Sequence, residues 1–197
     1  MNFDRVAGIY DSLARIVFGC KWETIQTLAA PALNEKESIL ILGGGTGAVL
    51  EELMCESVMY VELSSKMLEK ARRRSSKSNV TFYQADFLEW NADLQFDAVY
   101  CPFFLDCFDE KRLDQVVTKI KGMLTPEGEL QVLDFQRGNW SQRMITQLML
   151  YFFRMASALQ AKKLLDISKF VQNSGFIKRD ETTMISGWVF YARYNLN

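Results

Sequence analysis

The stretch LILGGGTG, residues 40–47, decides the fold because four of its eight positions lack a Cβ. The run SILIL (38–42) that leads into it is continuously apolar, which is typical of a strand buried on both faces of a sheet. The segment AVLEELM (48–54) that follows has the pattern of a helix. A glycine-rich turn between strand and helix lets a ligand approach the main chain, where the first helical N–H groups are unpaired. A glycine run alone is a weak signal, and a tight structural turn is the other explanation.

Strand-like and helix-like segments alternate through the middle of the chain. Apolar, β-branched and aromatic runs predict strands at 57–63, 80–86, 96–101 and 130–135. Helical spacing predicts one helix over 64–74, which Ser64 or Ser65 can cap, and another over 109–124. The Pro and Gly of TPEGE (125–129) mark a turn after the second helix. The alternation predicts an α/β fold with a doubly wound, Rossmann-like sheet whose strands are mostly parallel.

The two ends of the chain differ from this middle part. Helical spacing predicts N-terminal helices over 3–19 and 22–33, and a further helix over 163–174. The runs FIKRDE (176–181) and TMISGWVFYARY (183–194) are strand-like, with almost nothing between them. Such a short connection permits only a hairpin, so we predict that the sheet ends in an antiparallel C-terminal pair.

Composition excludes several classes of protein. A hydrophobic content of 49% over 197 residues supports a folded core, and a net charge of -1 gives no electrostatic footprint for nucleic acid. The four cysteines lack metal or disulfide spacing and no signal peptide is evident, so we expect a cytoplasmic location. Histidine is absent, which removes histidine bases, Ser-His and Cys-His pairs and the usual zinc ligand sets, so we expect no metal.

Acidic residues end the second and third predicted strands, on the edge where the glycine turn lies. Glu62 stands where a carboxylate can accept hydrogen bonds from both hydroxyl groups of a ribose. Asp86 stands where a carboxylate can accept a hydrogen bond from the exocyclic amine of adenine, with Phe87 beside the ring. Because the glycine turn and the two acids follow three successive strands, they predict a nucleoside site at this edge.

Five motifs between residues 39 and 135 resemble, in the same order, those of the class I S-adenosylmethionine-dependent methyltransferases: ILILGGGTG, VELSSKMLEKAR, VTFYQADF, FDAVYCPFFLDCF and GMLTPEGELQVLDF. The resemblance implies a sheet of seven strands and S-adenosyl-L-methionine as the cofactor. It implies that Glu62 binds the ribose, that Asp86 binds the adenine amine and that the glycine turn binds the methionine half. The expected cofactor-binding residues are Gly43, Gly44, Gly45, Thr46, Gly47, Glu62, Leu63, Asp86, Phe87 and Pro102.

The length of the chain suits one domain and no repeat or linker marks a boundary, so we expect a single domain over residues 1–197. Its parts would be an N-terminal helical cap (1–37), a cofactor-binding core (38–135), substrate lid and helices (136–174) and the terminal hairpin (175–197). Weaker similarity, at GIYDSLA (8–14) and after the fifth strand, is to the ubiquinone/menaquinone C-methyltransferase group and related small-molecule or lipid methyltransferases.

One position departs from the family pattern. The family has an acidic residue two positions before the first glycine, where this chain has Ile41. In the family, that carboxylate helps to organise the glycine loop and to recognise the ammonium group of the cofactor. Three readings are open: a main-chain carbonyl such as that of Gly43 suffices, another acid such as Asp106 or Asp11 substitutes, or cofactor binding is weak.

The end of the fourth strand, CPFFLDCF, lines the methyl-transfer site by analogy with the family. Pro102, Phe103 and Phe104 would form an apolar wall that contains the carboxylate of Asp106. If the reaction needs a base, Asp106 or Tyr10 is the candidate catalytic residue, although a loop cap and a core aromatic explain them equally well. The Asn/Asp-Pro-Pro-Tyr motif is absent, which disfavours amine, adenine and glutamine acceptors.

The segment 139–160 combines basic and apolar residues. No acidic residue lies between Asp134 and Asp166, and LMLYFF (148–153) is apolar on every face of a helix. The apolar run is too short for a transmembrane span of ~20 residues. It suits a helix on an anionic membrane surface, a lid over an apolar acceptor, or a buried helix that covers the sheet.

These observations predict an enzyme that transfers a methyl group from S-adenosylmethionine to a small, apolar acceptor, such as a quinone- or lipid-like molecule. One alternative is a non-catalytic protein that binds S-adenosylmethionine or S-adenosylhomocysteine and contacts an apolar partner or a membrane through 139–160; Ile41 favours it. Another is an NAD-dependent oxidoreductase, because the glycine stretch satisfies G-x-G-x-x-A. That alternative leaves Asp86 without a role and lacks an evident acid for hydride transfer.

Overall fold

The computed structural model of the protein describes residues 18–19, 21–74, 76–136 and 165–197. Within these ranges the chain forms one sheet of seven strands. In chain order the strands are β1 (Ser38–Leu42), β2 (Ser57–Glu62), β3 (Asn79–Gln84), β4 (Phe96–Pro102), β5 (Leu124–Phe135), β6 (Phe176–Met184) and β7 (Val189–Leu196).

The strand order across the sheet is β3-β2-β1-β4-β5-β7-β6. Strands β1 to β5 pair in parallel, whereas β7 is antiparallel to both β5 and β6. The predicted fold class is therefore confirmed: a doubly wound, mostly parallel sheet that ends in an antiparallel hairpin. The order reverses between β1 and β4, and in such sheets a ligand crevice opens at the carboxyl ends of the strands that flank this point.

Five helices pack on the sheet in the described part of the chain: α1 (Lys21–Thr27), α2 (Ala30–Leu33), α3 (Ser65–Arg72), α4 (Glu110–Met123) and α5 (Ile167–Asn173). Ser64 caps α3 as predicted, because its Oγ accepts the Met67 N–H at 3.2 Å. The single helix predicted over 22–33 is instead two short helices, α1 and α2, the second of which has a proline in its first turn.

Strand β1 is buried on both faces, as its apolar run predicts. Ile39, Leu40, Ile41 and Leu42 have no exposed surface. The two isoleucines pack with α1 on one side of the sheet, and the two leucines pack with α4 on the other. Each such side chain stabilises the fold by about 1.5–3 kcal/mol relative to exposure, so the strand that carries the glycine turn is anchored in both cores.

The segment after the glycine turn differs from the prediction. We predicted a helix over 48–54, but the structure has a 3₁₀ helix of five residues, Ala48–Glu52. Leu53 then has an extended backbone, with φ -82° and ψ 138°. The helix ends there because the chain turns back toward β2 and buries the side chains of Leu53 and Cys55 in the core.

The hairpin turn also lies elsewhere than predicted. It occupies residues 185–188, inside the run 183–194 that we predicted as one strand. Residues 185–187 have positive φ values of 52°, 53° and 80°. A turn with Gly187 at its third position and the buried Trp188 at its end has overridden the strand propensity of this run.

The predicted turn at TPEGE (125–129) is present as a bulge in the pairing of β4 with β5. Leu124 pairs with Phe96, but the next pair joins Glu129 to Ala98, so residues 125–128 loop out of the ladder. This extra loop explains why the assigned strand β5 begins earlier than the predicted strand.

Several predictions lie outside the described residues. They concern the helix over 3–19 apart from its last residues, the segment 139–160 with its lid or membrane role, and the residues Tyr10 and Asp11. No helix in the described ranges is long and apolar enough to cross a membrane.

Candidate functional site

The glycine turn after β1 has a backbone shape that most residues resist. Gly43, Gly45 and Gly47 have φ values of 64°, 61° and 74°. At Gly45, no described atom lies within 4 Å of the position that a Cβ would occupy, so this side of the turn faces open space. Glycine therefore permits both the positive φ and the approach of a ligand to the main chain.

Gly44 is required for a different reason, because the ring of Tyr60 lies beneath it. A Cβ at Gly44 would lie 2.6 Å from Tyr60 Cζ, which is a collision. Tyr60 projects from β2 and is fully buried, and its hydroxyl donates to the carbonyl of Gly45 at 3.0 Å. The turn is thus supported from below by a side chain of the neighbouring strand.

Glu62, the predicted ribose-binding acid, is bonded directly to the glycine turn. Its Oε2 accepts the Gly45 N–H at 3.1 Å and its Oε1 accepts the Ser64 N–H at 2.8 Å. The side chain is buried, so these bonds to backbone N–H groups stabilise a charge that has little water around it. The two bonds fix the carboxylate between the glycine turn and the start of α3.

Asp86, the predicted adenine-binding acid, lies just past β3 on the same edge of the sheet. The loops of the two acids are joined, because the Ala85 N–H donates to the Glu62 carbonyl at 3.2 Å. Asp86 Oδ1 accepts the Leu88 N–H at 3.0 Å, and its carbonyl accepts the Trp90 N–H at 2.9 Å. These bonds close a compact turn that holds the Asp86 carboxylate at the edge.

Lys119 holds this turn from the side of α4. Its Nζ donates to the carbonyls of Phe87 at 2.8 Å and Leu88 at 3.2 Å, to the Trp90 carbonyl, and to Asn91 Oδ1 at 3.2 Å. The ammonium group also lies 5.1 Å from the centre of the Phe87 ring, within cation–π range. One lysine therefore fixes the loop in which both predicted adenine contacts lie.

A cleft opens between the glycine turn and the loop after β4. Its lining residues are Gln26, Gly43, Gly44, Gly45, Thr46, Ala48, Val49, Tyr100, Pro102, Phe103 and Leu133. Five predicted cofactor-binding residues are among them: Gly43, Gly44, Gly45, Thr46 and Pro102. The cleft lies at the reversal of strand order, where a doubly wound sheet binds its ligand.

Phe103 joins the cleft to a group of packed aromatic rings. Its N–H donates to the Leu133 carbonyl at 2.6 Å, and its backbone has a positive φ of 50°. Its ring centre lies 4.8 Å from that of Phe135 and 5.6 Å from that of Trp22. We call the five contiguous rings the aromatic group: Phe18, Trp22, Phe103, Phe135 and Trp188.

Phe104 points to a different part of the site. Its ring covers Gly43, where an added Cβ would lie 2.5 Å from the ring, and it packs edge-on against Phe87 with the centres 6.2 Å apart. Pro102 and Phe103 thus line the cleft together, whereas Phe104 connects the glycine turn to the Asp86 loop.

Asp106, one of the two predicted candidates for a catalytic base, faces a second carboxyl group. It lies in a 3₁₀ turn, Leu105–Cys107, and its N–H donates to Asp134 Oδ2 at 3.1 Å. Asp134 is the second-last residue of β5 and has no exposed surface, and its Oδ1 accepts the Phe135 N–H at 2.8 Å. The Cys107 thiol donates to Asp106 Oδ1 at 3.5 Å.

Burial changes the proton affinity of this pair. Burial raises the pKa of Asp106 to about 6, and burial together with the charge of Asp106 raises the pKa of Asp134 well above its usual range. Burial and the neighbouring carboxylates also raise the pKa of the Cys107 thiol, which disfavours the reactive thiolate. Two adjacent carboxyl groups cannot both ionise easily, so we expect the pair to share one proton near neutral pH.

The remaining predicted residues lie at the margin of the site. Leu63 is half-buried between Glu62 and Ser64. Gly47 packs against α3, where an added Cβ would lie 2.8 Å from Ala71 Cβ, and it is not among the lining residues. The ligand roles assigned to all these residues remain predictions.

Sequence reasoning missed four residues that shape this site: Tyr60, Tyr100, Lys119 and Asp134. Asp134 carried a usable signal, because it nearly ends the fifth predicted strand and so falls on the edge that carries Glu62 and Asp86. The tyrosines could be found only once the strands were aligned in register. Lys119 carried no signal, since it is one of many polar residues on an amphipathic helix.

Comparison with known proteins matches the central part of the chain to a family. Residues 39–128 match the family described as Methyltransferase domain. The chain is also 26% identical over 146 residues to the malonyl-[acyl-carrier protein] O-methyltransferase of Priestia megaterium (strain DSM 319 / IMG 1521). That match covers 72% of this chain and 52% of the relative, so the chain spans about half the length of the curated relative.

Solved structures share the fold. The mitomycin 7-O-methyltransferase MmcR superposes with a TM-score of 0.72 at 17% identity, over 100% of this chain and 61% of that one. DhpI, in its complex with SAH, superposes with a TM-score of 0.69 at 17% identity, over 99% of this chain and 93% of that one. At this identity the likeness establishes the architecture alone.

The match of residues 39–128 to the Methyltransferase domain family agrees with the resemblance to the class I S-adenosylmethionine-dependent methyltransferases seen in the sequence. The finer similarity to the ubiquinone/menaquinone C-methyltransferase group is not tested by these matches and stays a prediction.

Proposed function

We propose that this chain is a class I S-adenosylmethionine-dependent methyltransferase and that it transfers a methyl group from S-adenosyl-L-methionine to a small, apolar acceptor. The observation that carries the proposal is a single sheet edge at which an open glycine turn, two strand-end carboxylates and a buried carboxyl pair meet. The cofactor supplies an activated methyl group when it is bound. The protein's own tasks are then to bind, to orient and to exclude water.

The residues present fit the adenosine part of this cofactor. Gly45 leaves its main chain open on one side, and the Glu62 carboxylate lies beside it, bonded to the Gly45 N–H. No residue in the described ranges donates to Asp86 Oδ2, so this oxygen can accept a further hydrogen bond. Glu62 would hold the ribose hydroxyls and Asp86 the adenine amine, with the glycine turn next to the remaining chain of the cofactor.

The buried carboxyl pair suits proton removal from the acceptor. With a pKa of about 6, Asp106 is mostly ionised at pH 7 and is more basic than an ordinary carboxylate. Asp134 keeps Asp106 in place by accepting its N–H, and its own carboxyl group can hold the shared proton. Asp106 would be the catalytic residue and Asp134 a positioning residue. Tyr10, the other predicted base, lies outside the described residues.

The surroundings of the cleft support an apolar acceptor. Pro102 and Phe103 line it, and the aromatic group continues behind Phe103. The relative from Priestia megaterium and MmcR are both O-methyltransferases by name, which supports an acceptor oxygen. The basic and apolar segment 139–160 supports a quinone- or lipid-like acceptor, or contact with a membrane surface, on the ground of its sequence alone.

A second candidate function is binding without catalysis. Ile41 is the observation that favours this function, because the acid that the family has at this position is replaced by a fully buried apolar side chain. A protein that binds S-adenosylmethionine or S-adenosylhomocysteine and contacts a partner would tolerate this change.

Two measurements separate these functions. Calorimetry with S-adenosylmethionine, S-adenosylhomocysteine and NAD should give binding of the first two only, and binding of NAD alone would contradict the family assignment. Release of S-adenosylhomocysteine should then be followed with a panel of phenols, quinols and long-chain carboxylic acids. Turnover with an acceptor of this kind supports the enzyme, whereas tight cofactor binding without turnover on the whole panel supports the binding protein.

A further inference from the structure

Ile41 lies between two tyrosines on the same face of the sheet. It pairs in register with Tyr60 on β2 and with Tyr100 on β4. Both tyrosine side chains are fully buried, and both pack in the core beneath the glycine turn. The position where the family has a carboxylate is therefore flanked by two phenol hydroxyl groups.

Tyr60, the first tyrosine, has one of the two roles that the carboxylate has in the family. The Tyr60 hydroxyl donates to the Gly45 carbonyl, and the Tyr60 ring fills the space beneath Gly44. These contacts organise the glycine turn. They leave the other part of the family role, recognition of the cofactor's ammonium group, without an assigned residue.

Tyr100, the second tyrosine, has a hydroxyl group that can take the role of recognising the ammonium group. The Tyr100 hydroxyl is buried and has no hydrogen-bond partner among the described residues. Tyr100 also lines the cleft, together with Gly43, Gly44 and Gly45. Native proteins leave few buried polar groups unpaired, and such a group in a cleft calls for a ligand atom as its partner.

We propose that the two roles of the missing carboxylate are divided between these tyrosines. Tyr60 organises the glycine turn, and the Tyr100 hydroxyl accepts a hydrogen bond from the ammonium group at the amino-acid end of the bound cofactor. The inference rests on the proposed function and names a residue of the same site. It replaces the three readings of Ile41 that the sequence left open with a neutral hydroxyl group as the acceptor.

The test compares two ligands that differ only at the amino-acid end. S-adenosylhomocysteine carries the ammonium group, whereas 5′-methylthioadenosine has the same adenosine and sulfur without the amino-acid chain. Tyr100→Phe should weaken calorimetric binding of S-adenosylhomocysteine about tenfold, as expected for a hydrogen bond from a charged donor. The affinity for 5′-methylthioadenosine should stay unchanged. Without ligand, the thermal unfolding temperature should not fall, because the hydroxyl has no hydrogen-bond partner to lose within the described ranges.

Tyr191→Phe is the matched control. Tyr191 lies on the same face of the sheet, but its hydroxyl donates to Gln131 Oε1 at 2.7 Å. Its variant should lose stability while it keeps the wild-type ratio of the two ligand affinities.

Every outcome decides the inference. If Tyr100→Phe binds both ligands like the wild type, or weakens both equally, the assignment of Tyr100 is overturned while the proposed function stands. If the wild-type protein binds neither ligand, the proposed function fails and the inference fails with it.

Discussion

The two halves of the functional edge use the same chemical group in opposite ways. Beside β2 and β3, Glu62 and Asp86 each accept backbone N–H groups, which stabilise a negative charge. Beside β4 and β5, the half-buried Asp106 and the fully buried Asp134 face each other, and burial raises the pKa of both. The carboxyl groups on the side proposed to bind adenosine face backbone donors, whereas the two on the side proposed for chemistry face each other. Environment rather than residue type therefore sets what each carboxyl group can do.

The largest effect should come from removing the basic member of the carboxyl pair. Asp106→Asn should lower turnover by about 10²-fold or more, because general-base catalysis contributes on that scale. Its affinity for S-adenosylhomocysteine should stay within twofold of the wild type, which calorimetry would measure. The control is Asp109→Asn, which removes a nearby charge but keeps a side chain able to cap α4. Equal turnover in the two variants would exclude Asp106 as the base.

The raised pKa of Asp106 predicts how stability depends on pH. Its folded value, about 6, lies above the ordinary value of 3.8, so its contribution to stability is complete below about pH 4 and is lost as pH rises through 6. The difference corresponds to at most about 3 kcal/mol. Urea unfolding at pH 4.5 and 7.5 should show that the free energy of unfolding of Asp106→Asn rises relative to the wild type at the higher pH. A constant difference between the two proteins would mean that this carboxyl group titrates normally.

On the other half of the edge, Glu62→Ala should weaken binding rather than chemistry. We expect a loss of about 1–3 kcal/mol in the binding free energy of S-adenosylhomocysteine, through lost charge-assisted hydrogen bonds. Glu69→Ala is the control, because this glutamate is exposed on α3 and pairs only with Arg73 at the surface among the described contacts. Calorimetry on both variants measures the difference. An unchanged affinity in Glu62→Ala would refute its assignment to the ribose.

The smallest effect should follow from loosening the Asp86 loop. Lys119→Met removes the donor shared by the loop carbonyls, and we expect a loss of about 1 kcal/mol in adenosine binding. The affinity for 5′-methylthioadenosine reports this directly, since that ligand keeps the adenine. Lys111→Met, an exposed change on the same helix, should leave it unaltered. If both variants bind alike, the loop holds its shape without the lysine.

The fold could be predicted from the sequence wherever a segment's own pattern decides its structure. SILIL at 38–42 has no polar residue between its apolar ones, and the structure buries it on both faces. Prediction failed where packing against distant parts of the chain decides the local structure. The helix expected over 48–54 ends early because Leu53 enters the core, and the hairpin turn lies at 185–188 inside a run with strand propensity.

Part of the site could also be predicted from the sequence, and part of it could not. Glu62 and Asp86 could be placed because each follows a recognisable strand, and parallel strands bring their ends to one edge. The partners that tune the site come from distant positions: Asp134 lies 28 residues after Asp106 along the chain. The Tyr100 hydroxyl needs the register of β1 with β4 before its place beside Ile41 is visible.

Phe103 has a consequence for how the protein can evolve. Its left-handed backbone, with φ 50°, disfavours a residue with a Cβ by about 1–2 kcal/mol, whereas glycine adopts this conformation readily. Glycine at 103 would relieve this strain but would lose the packing of the ring against Trp22 and Phe135, and removing an aromatic side chain from a core costs about 3–5 kcal/mol. Packing therefore outweighs strain at this residue, and a library selected only for heat resistance should keep an aromatic ring at the border of the cleft.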